Sequence, residues 1–269
     1  MVIQHNIAAN NAYRNLSSNA SNGQKNLEKL SSGYRINRSA DDAAGLAISE
    51  QMRSKINGLD QATANASDAI GLIQTAEGAL TETHSMLQRM VTLATQSANG
   101  TYNTTARSAI SAEVAALKSE IDRIASTTDY NGVKPLAASS DIQVQVGPTS
   151  GETLNIAAAK MDASSLSISA IKVSTVSTAN SAITKINAAI DKVSSHRANL
   201  GASQNRLEHT INNLKTTNEN MTAAESRIRD TDMAKEMAAF TKNNILNQAA
   251  QSMLSQANQQ PQGVLSLLR

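Results

Sequence analysis

Cysteine and tryptophan are both absent from the 269 residues, and the chain has three prolines and a single phenylalanine, Phe240. Without cysteine there is no disulfide, no thiolate metal site and no thiol redox chemistry. Aromatic residues make up 2% of the chain. That scarcity argues against a wide globular core, which uses large rings. The apolar content is Ala, Leu, Ile, Val and Met, which suits thin packing of helix against helix. No run of about 18 apolar residues occurs, so no segment reads as a membrane-spanning helix. The opening "MVIQHNIAANNAYRNL" has neither a basic segment nor an apolar one. It does not read as a secretory signal peptide, which leaves a cytosolic location or export without a cleaved signal. The net charge of +2 provides no basic stripe for nucleic acid or an anionic membrane.

What the chain does have is helical periodicity. Leu16, Ala20, Gly23, Leu27 and Leu30 form a stripe ended by Gly33, a C-cap glycine. Leu59, Ala66, Ile73, Leu80, Leu87 and Ala94 recur every seven residues, with Ile56, Ile70 and Val91 beside them. A helix from about Asp41 to Ser97 would be about 80–85 Å long, which implies a rod. After a turn at "NGTYN", Ile110, Val114, Leu117, Ile121 and Ile124 predict a third helix folding back on the second. Tyr130–Asn131–Gly132 is a tight-turn signal. Ile142, Val144 and Val146 alternate, as do Leu154 and Ile156 after the turn residues Gly147 to Gly151, and this predicts a β-hairpin. "SISAIKVSTV" is a weak strand signal. The heptad then returns through Ile186, Val193, Leu200, Leu207, Leu214, Met221 and Ile228, predicting a second long helix. Thr231 with Asp232 suggests a restart, and Met233, Met237, Phe240, Leu246, Ala250 and Met253 mark a last amphipathic helix. Val264, Leu265, Leu267 and Leu268 close the chain.

The fold class that follows is mainly α: a long antiparallel coiled-coil rod with a small β-hairpin region and paired terminal helices. Both ends carry apolar stripes with little nearby to cover them. Chain ends are normally polar and frayed, so pairing of these stripes with each other and with copies of the chain is expected.

Catalytic and cofactor motifs are missing. His5, His84, His196 and His209 include no pair spaced as a zinc motif, and no phosphate-cradling glycine loop or nucleophile elbow is present. No cofactor, metal or enzymatic activity is expected. Asp41 and Asp42 could be a carboxylate pair, but Ser39 followed by Asp42 also matches a helix N-cap with an acid at N3. Arg35 and Arg38 could bind phosphate or form ion pairs with the neighbouring acids. The C-terminal methionines fit adaptable packing rather than a metal box.

Several long stretches resemble bacterial flagellin. They are "IQHNIAANNAYRNL", "LEKLSSGYRINRSADDAAGLAISEQMR", "DYNGVKPL", "RIRDTDMAKEM" and "ILNQAAQSMLSQANQQPQGVLSLLR". Together they place the likeness over about residues 1–136 and 180–269. The resemblance implies a structural subunit, secreted through the flagellar type III apparatus, that self-assembles into the extracellular flagellar filament for motility. It implies inner-tube helices and spoke at 1–42 and an inner-tube helix at 230–269. The outer rod would comprise 43–180, with the hairpin tip, and the long helix at 181–229. Arg35, Ile36, Arg38, Asp41 and Asp42 would belong to the spoke. The region Met233–Leu268, with its stripe and the terminal Val264, Leu265, Leu267 and Leu268, would serve assembly and an export chaperone. Implied partners are other copies, the flagellar cap, hook-associated proteins and Toll-like receptor 5, the last through Arg89, Leu93 and Glu113. Where the receptor-activating pattern carries two charges, this chain has Val91 and Thr92. A hook–filament junction protein, which has similar terminal helices, is the alternative.

Overall fold

The heptad runs become helices with little interruption. The computed structural model describes residues 6–267, with side chains as far as residue 260. The elements are α1 (Ile7–Ser32), α2 (Ala43–Ala98), α3 (Thr104–Thr127), β1 (Ile142–Gln145), β2 (Thr153–Ile156), α4 (Val176–Arg229) and α5 (Met233–Leu267). They fall into two units, Lys55–Glu219 and Met1–Ser54 with Asn220–Arg269.

In the unit Lys55–Glu219, the predicted seam Leu59, Ala66, Ile73, Leu80, Leu87 and Ala94 is buried throughout. Its companion row is different from the one expected. Ile56, Ile70 and Val91 are only half-buried, whereas Ala62, Ala69, Ala76, Thr83, Met90 and Ser97 are buried. This second row is mostly small, and small side chains let neighbouring helices approach closely. On α4, Ile186, Val193, Leu200, Leu207 and Leu214 are buried, and Met221 and Ile228 are half-buried. Polar links show the directions. Asp60 accepts from Asn218 Nδ2 at 2.7 Å, and Glu77 pairs with Arg197 at 3.3 Å, so α2 and α4 run antiparallel. Arg89 pairs with Glu113 at 2.8 Å, and Arg107 Nε donates to Ser97 O at 3.1 Å, so α2 and α3 also run antiparallel.

The turn signals hold. Asn103 caps α3 by accepting from Ala106 N at 2.8 Å. Tyr130 and Val133 exchange two backbone hydrogen bonds across Asn131 and Gly132, both at positive φ. The hairpin pairs Ile142 with Ile156 and Val144 with Leu154. Val146 N donates to Glu152 O at 2.9 Å, which leaves the five residues Gly147–Gly151 as the loop.

The weak strand signal at 167–176 is not realised, and Val176 instead begins α4. Ile168, Ile171 and Val173 are buried without regular secondary structure. Side chains from the helices satisfy the backbone instead. Lys118 Nζ donates to Ser169 O at 3.0 Å and to Ile171 O at 3.2 Å. Asp122 accepts from Ala163 N at 2.7 Å, and Ser97 Oγ donates to Val173 O. A segment supplied with partners this way needs no neighbouring strand.

His196 falls in the buried α4 row Ala182, Ala189, His196 and Ser203. Burial disfavours its charged form and lowers its pKa below the ordinary 6.5. The unfolded chain therefore takes up this proton first as pH falls. Stability should be full above about pH 6.5, decline on acidification below it, and level off once the folded pKa is passed. Thermal melts from pH 7.5 to 5 should show this decline, and His196→Leu should flatten it. Ile73→Ala, at a fully buried seam position, should cost about 3 kcal/mol in denaturant unfolding.

Candidate functional site

The unit Met1–Ser54 with Asn220–Arg269 contains two helix breaks that face each other. The first ends α1 at Gly33, which adopts a left-handed φ of 76° and donates its N–H to Lys29 O at 2.9 Å. A side chain would be strained at that φ, so glycine is the residue this break requires. The second break separates α4 from α5 at residues 230–232.

Backbone hydrogen bonds tie the breaks together. Thr231 N donates to Gly33 O at 2.9 Å, and Arg35 N donates to Arg229 O at 2.6 Å. Tyr34 and Asp230 form an antiparallel bridge. The Arg35 guanidinium also donates to Ile228 O. It was expected to join an ion pair, but it serves the last turn of α4, whose carbonyls lack helical partners and favour positive charge. Arg229 is the second anchor. Its guanidinium lies 4.7 Å from the Tyr34 ring centroid and 2.5 Å from Glu50 Oε1. Its side chain is 12% exposed, and its Nε is buried without a partner.

The two aspartates have separate tasks. Asp41 accepts from Asn37 N at 3.2 Å and Arg38 N at 3.1 Å. These two backbone hydrogen bonds, Arg38 first, lower its pKa below the ordinary 3.8. Asp42 accepts from Gly45 N at 2.9 Å and is the N-cap of α2. The expected cap at Ser39 is therefore corrected: α2 begins three residues later, and an acid rather than a hydroxyl meets its free amides. Asp232 plays the same part for α5, accepting from Ala234 N at 3.0 Å. Arg38 pairs with Glu28 at 2.9 Å, but both are exposed and the pair contributes little. Ile36 is buried. A Cβ at Gly45 would come within 2.8 Å of Ile36 Cδ1, so Gly45 is the small residue that permits close approach. Ala43, Ala44 and Ala47 are exposed.

α1 and α5 pack together, but not on the stripes expected. On α1, Leu16, Gly23 and Leu30 are half-buried, while Ala20 and Leu27 face solvent, and Leu27 is 55% exposed. Ala9, Ala12, Asn19 and Asn26 complete the half-buried row. On α5, Phe240 and Ala250 are half-buried together with Asn243, Asn247 and Leu254. Met233, Met237, Leu246 and Met253 are exposed. Val264, Leu265, Leu267 and Leu268 lie outside the described residues. The polar seam was missed because Asn scores as a surface residue. The clue available was that Asn19 and Asn26 stand seven residues apart, in register with Ala12.

Residues 3–141 match the bacterial flagellin N-terminal helical region, and residues 183–268 match the bacterial flagellin C-terminal helical region. The chain belongs to the bacterial flagellin family. It is 55% identical to a flagellin of Halalkalibacterium halodurans over 272 aligned positions and 50% identical to one of Bacillus subtilis over 304. Each alignment covers 100% of both chains. The crystal structure of Bacillus cereus flagellin superposes with a TM-score of 0.52 at 38% identity, over 60% of this flagellin and 94% of that chain. This is a family of structural proteins. Among the described residues, no group of three or more His, Asp or Glu could hold a metal ion.

Arg89, Leu93 and Glu113 lie in the other unit. Arg89 and Glu113 are exposed and paired, with Arg89 Nε 2.9 Å from Glu113 Oε1. Leu93 is 2% exposed and belongs to the core beneath them.

The cap assignment separates two substitutions. Asp42→Ala should destabilise the start of α2 by about 1 kcal/mol, read as faster hydrogen exchange at the Gly45 amide. Ser39→Ala should leave that amide unchanged.

Proposed function

We infer that this chain is a structural subunit of the bacterial flagellar filament, assembling with copies of itself outside the cell. The observation that carries this is where apolar surface is left uncovered. Among the described residues, twelve large hydrophobic side chains are exposed. All but Val133 and Val176 lie in the unit Met1–Ser54 with Asn220–Arg269. Apolar surface gathered in this way marks an interaction site. A patch on one copy that meets a different patch on the next, without closing a ring, builds an open helical polymer.

Within this reading, residues 1–42 and 230–269 supply the inner tube. Arg35, Ile36, Arg38, Asp41 and Asp42 supply the spoke, and residues 43–229 supply the outer rod. The exposed Met233, Met237, Leu246 and Met253 would be held by an export chaperone before assembly, and the filament would end on cap and hook-associated proteins. Arg89 and Glu113 would be the accessible part of a surface for Toll-like receptor 5, with Leu93 supporting it from below. The chain has no enzymatic role in this reading. A hook–filament junction role is less favoured, because the full-length likenesses at 50–55% identity are to flagellins.

Seeding tests the reading. Purified monomer should elongate filament fragments under salting-out conditions. A chain trimmed by about 20 residues at each end should keep its helical circular dichroism yet fail to elongate, because the outer halves of α1 and α5 are gone while the seams of α2, α3 and α4 remain. Elongation by the trimmed chain, or none by the full chain, would overturn it.

A further inference from the structure

The seam of the terminal pair carries the amides of Asn19, Asn26, Asn243 and Asn247 among its apolar side chains, while Tyr13 and Leu27 are left exposed. The Asn26 carboxamide, oriented to suit its partners, donates to Asn22 O at 3.1 Å and to Glu236 Oε1 at 3.0 Å. It accepts from Asn243 Nδ2 at 3.0 Å. One turn further along α5, Asn247 Oδ1 is buried without a partner, and a Cβ at Gly23 would lie 3.8 Å from Asn247 Nδ2.

A better-buried alternative is close at hand. At about 100° per residue, turning α1 by roughly 60–80° about its axis would bring Tyr13, Ala20 and Leu27 onto the seam and return Asn19 and Asn26 to water. The hydrophobic effect favours that rotation, because Tyr13 and Leu27 enter the seam while Leu30 is the large apolar side chain that leaves it. Contacts at three levels oppose it. At one end are the bonds between the helix breaks, Thr231 N to Gly33 O and Arg35 N to Arg229 O. At the other end Asn6 Nδ2 donates to Ala257 O at 2.8 Å. Between them, among the described residues, the side-chain contact that spans both helices is Asn26 with Glu236 and Asn243.

We propose that the Asn26–Glu236–Asn243 network is a polar lock that sets the rotation of α1 against α5 and so keeps Tyr13 and Leu27 turned outward for a second copy of the chain. The inference rests on the filament reading for the identity of that partner. The lock itself is a property of the single chain. Buried amides fix register at a cost in stability, the best-attested use of polar groups in helical seams. Here the stability given up within the subunit is apolar area kept for the contact between subunits.

The chain has no cysteine, so one introduced thiol reports on the rotation. Ala20→Cys, which leaves Tyr13 and Leu27 in place, is put in the unmodified background and beside Asn26→Ser with Asn243→Ser, which removes the network without adding an apolar side chain to the present seam. Alkylation by a maleimide should slow about tenfold in the serine variant, because α1 has turned and reaction then waits for local opening. The helical signal should be kept. Separately, Asn26→Ser with Asn243→Ser, without the cysteine, should elongate unmodified seeds several-fold more slowly. Unchanged or faster alkylation overturns the lock, and so does loss of helical signal, since a pair freed to turn should stay helical. Seeds that grow equally fast with variant and unmodified chain also overturn it, without touching the filament reading. Only failure of the unmodified chain to elongate would strike at that reading.

Discussion

The terminal unit depends on the hydrogen bonds exchanged between its two helix breaks. A break leaves amides and carbonyls without helical partners, and leaving them unpaired in a packed site is expensive. Here each break satisfies the other: Gly33 O accepts from Thr231, Arg229 O accepts from Arg35, and the Arg35 guanidinium reaches Ile228 O. Gly33 must leave the helix in the left-handed conformation for its carbonyl to face Thr231. Arg229 can then lie against Tyr34 and reach Glu50. The Asp42 and Asp232 caps start α2 and α5 from positions this exchange has set. Many weak elements are thus coupled, and the joint behaves as one piece.

The unit Lys55–Glu219 solves a different problem. With one phenylalanine in the chain, it cannot fill a wide core. Its helices meet along paired rows, one mainly of Leu, Ile and Val and one mainly of small or polar residues such as Ala, Thr and Ser. Small residues let backbones approach, and length replaces width as the source of buried area. The irregular stretch before α4 is held by side-chain donors from the helices, Lys118 above all. That economy explains how a segment rich in Ser and Ala can be ordered without strands of its own.

Much of this architecture was legible in the sequence, and the misses have identifiable physical causes. Periodicity located the long helices, the hairpin and the break at Gly33, because a seven-residue repeat and a glycine after the last repeat are local signals. The faces of α1 and α5 were misjudged because periodicity finds an apolar stripe, not what will cover it. Leu27 and Met253 belong to a stripe that the subunit leaves outside, while Asn26 and Asn247, which give no apolar signal, sit on the seam. Ser39 was taken for a cap because its spacing to Asp42 fits a capping box, and Asp42 itself fits better. The joint's partners, Arg229 and Glu50, are 179 residues apart, and nothing local to either announces the other.

In the filament reading, growth from an existing end rather than from free monomers follows from the size of the contacts. Fixing one subunit to another costs about 4–15 kcal/mol in lost translational and rotational freedom. A large apolar side chain fully buried returns about 1.5–3 kcal/mol. Two free monomers meeting through a single face cover only a few such side chains, and the balance stays near zero. A subunit entering a helical lattice meets several neighbours at once and pays the loss of freedom a single time, so each further face adds almost its whole burial energy. The exposed side chains lie on both helices of the terminal pair, with Tyr13 and Leu27 on α1 and Met233, Met237, Ile245 and Met253 on α5. Apolar groups on both helices suit contact with several neighbours. Nucleation is therefore disfavoured and elongation favoured by the same residues, and a subunit whose apolar groups were gathered on one face would form dimers instead.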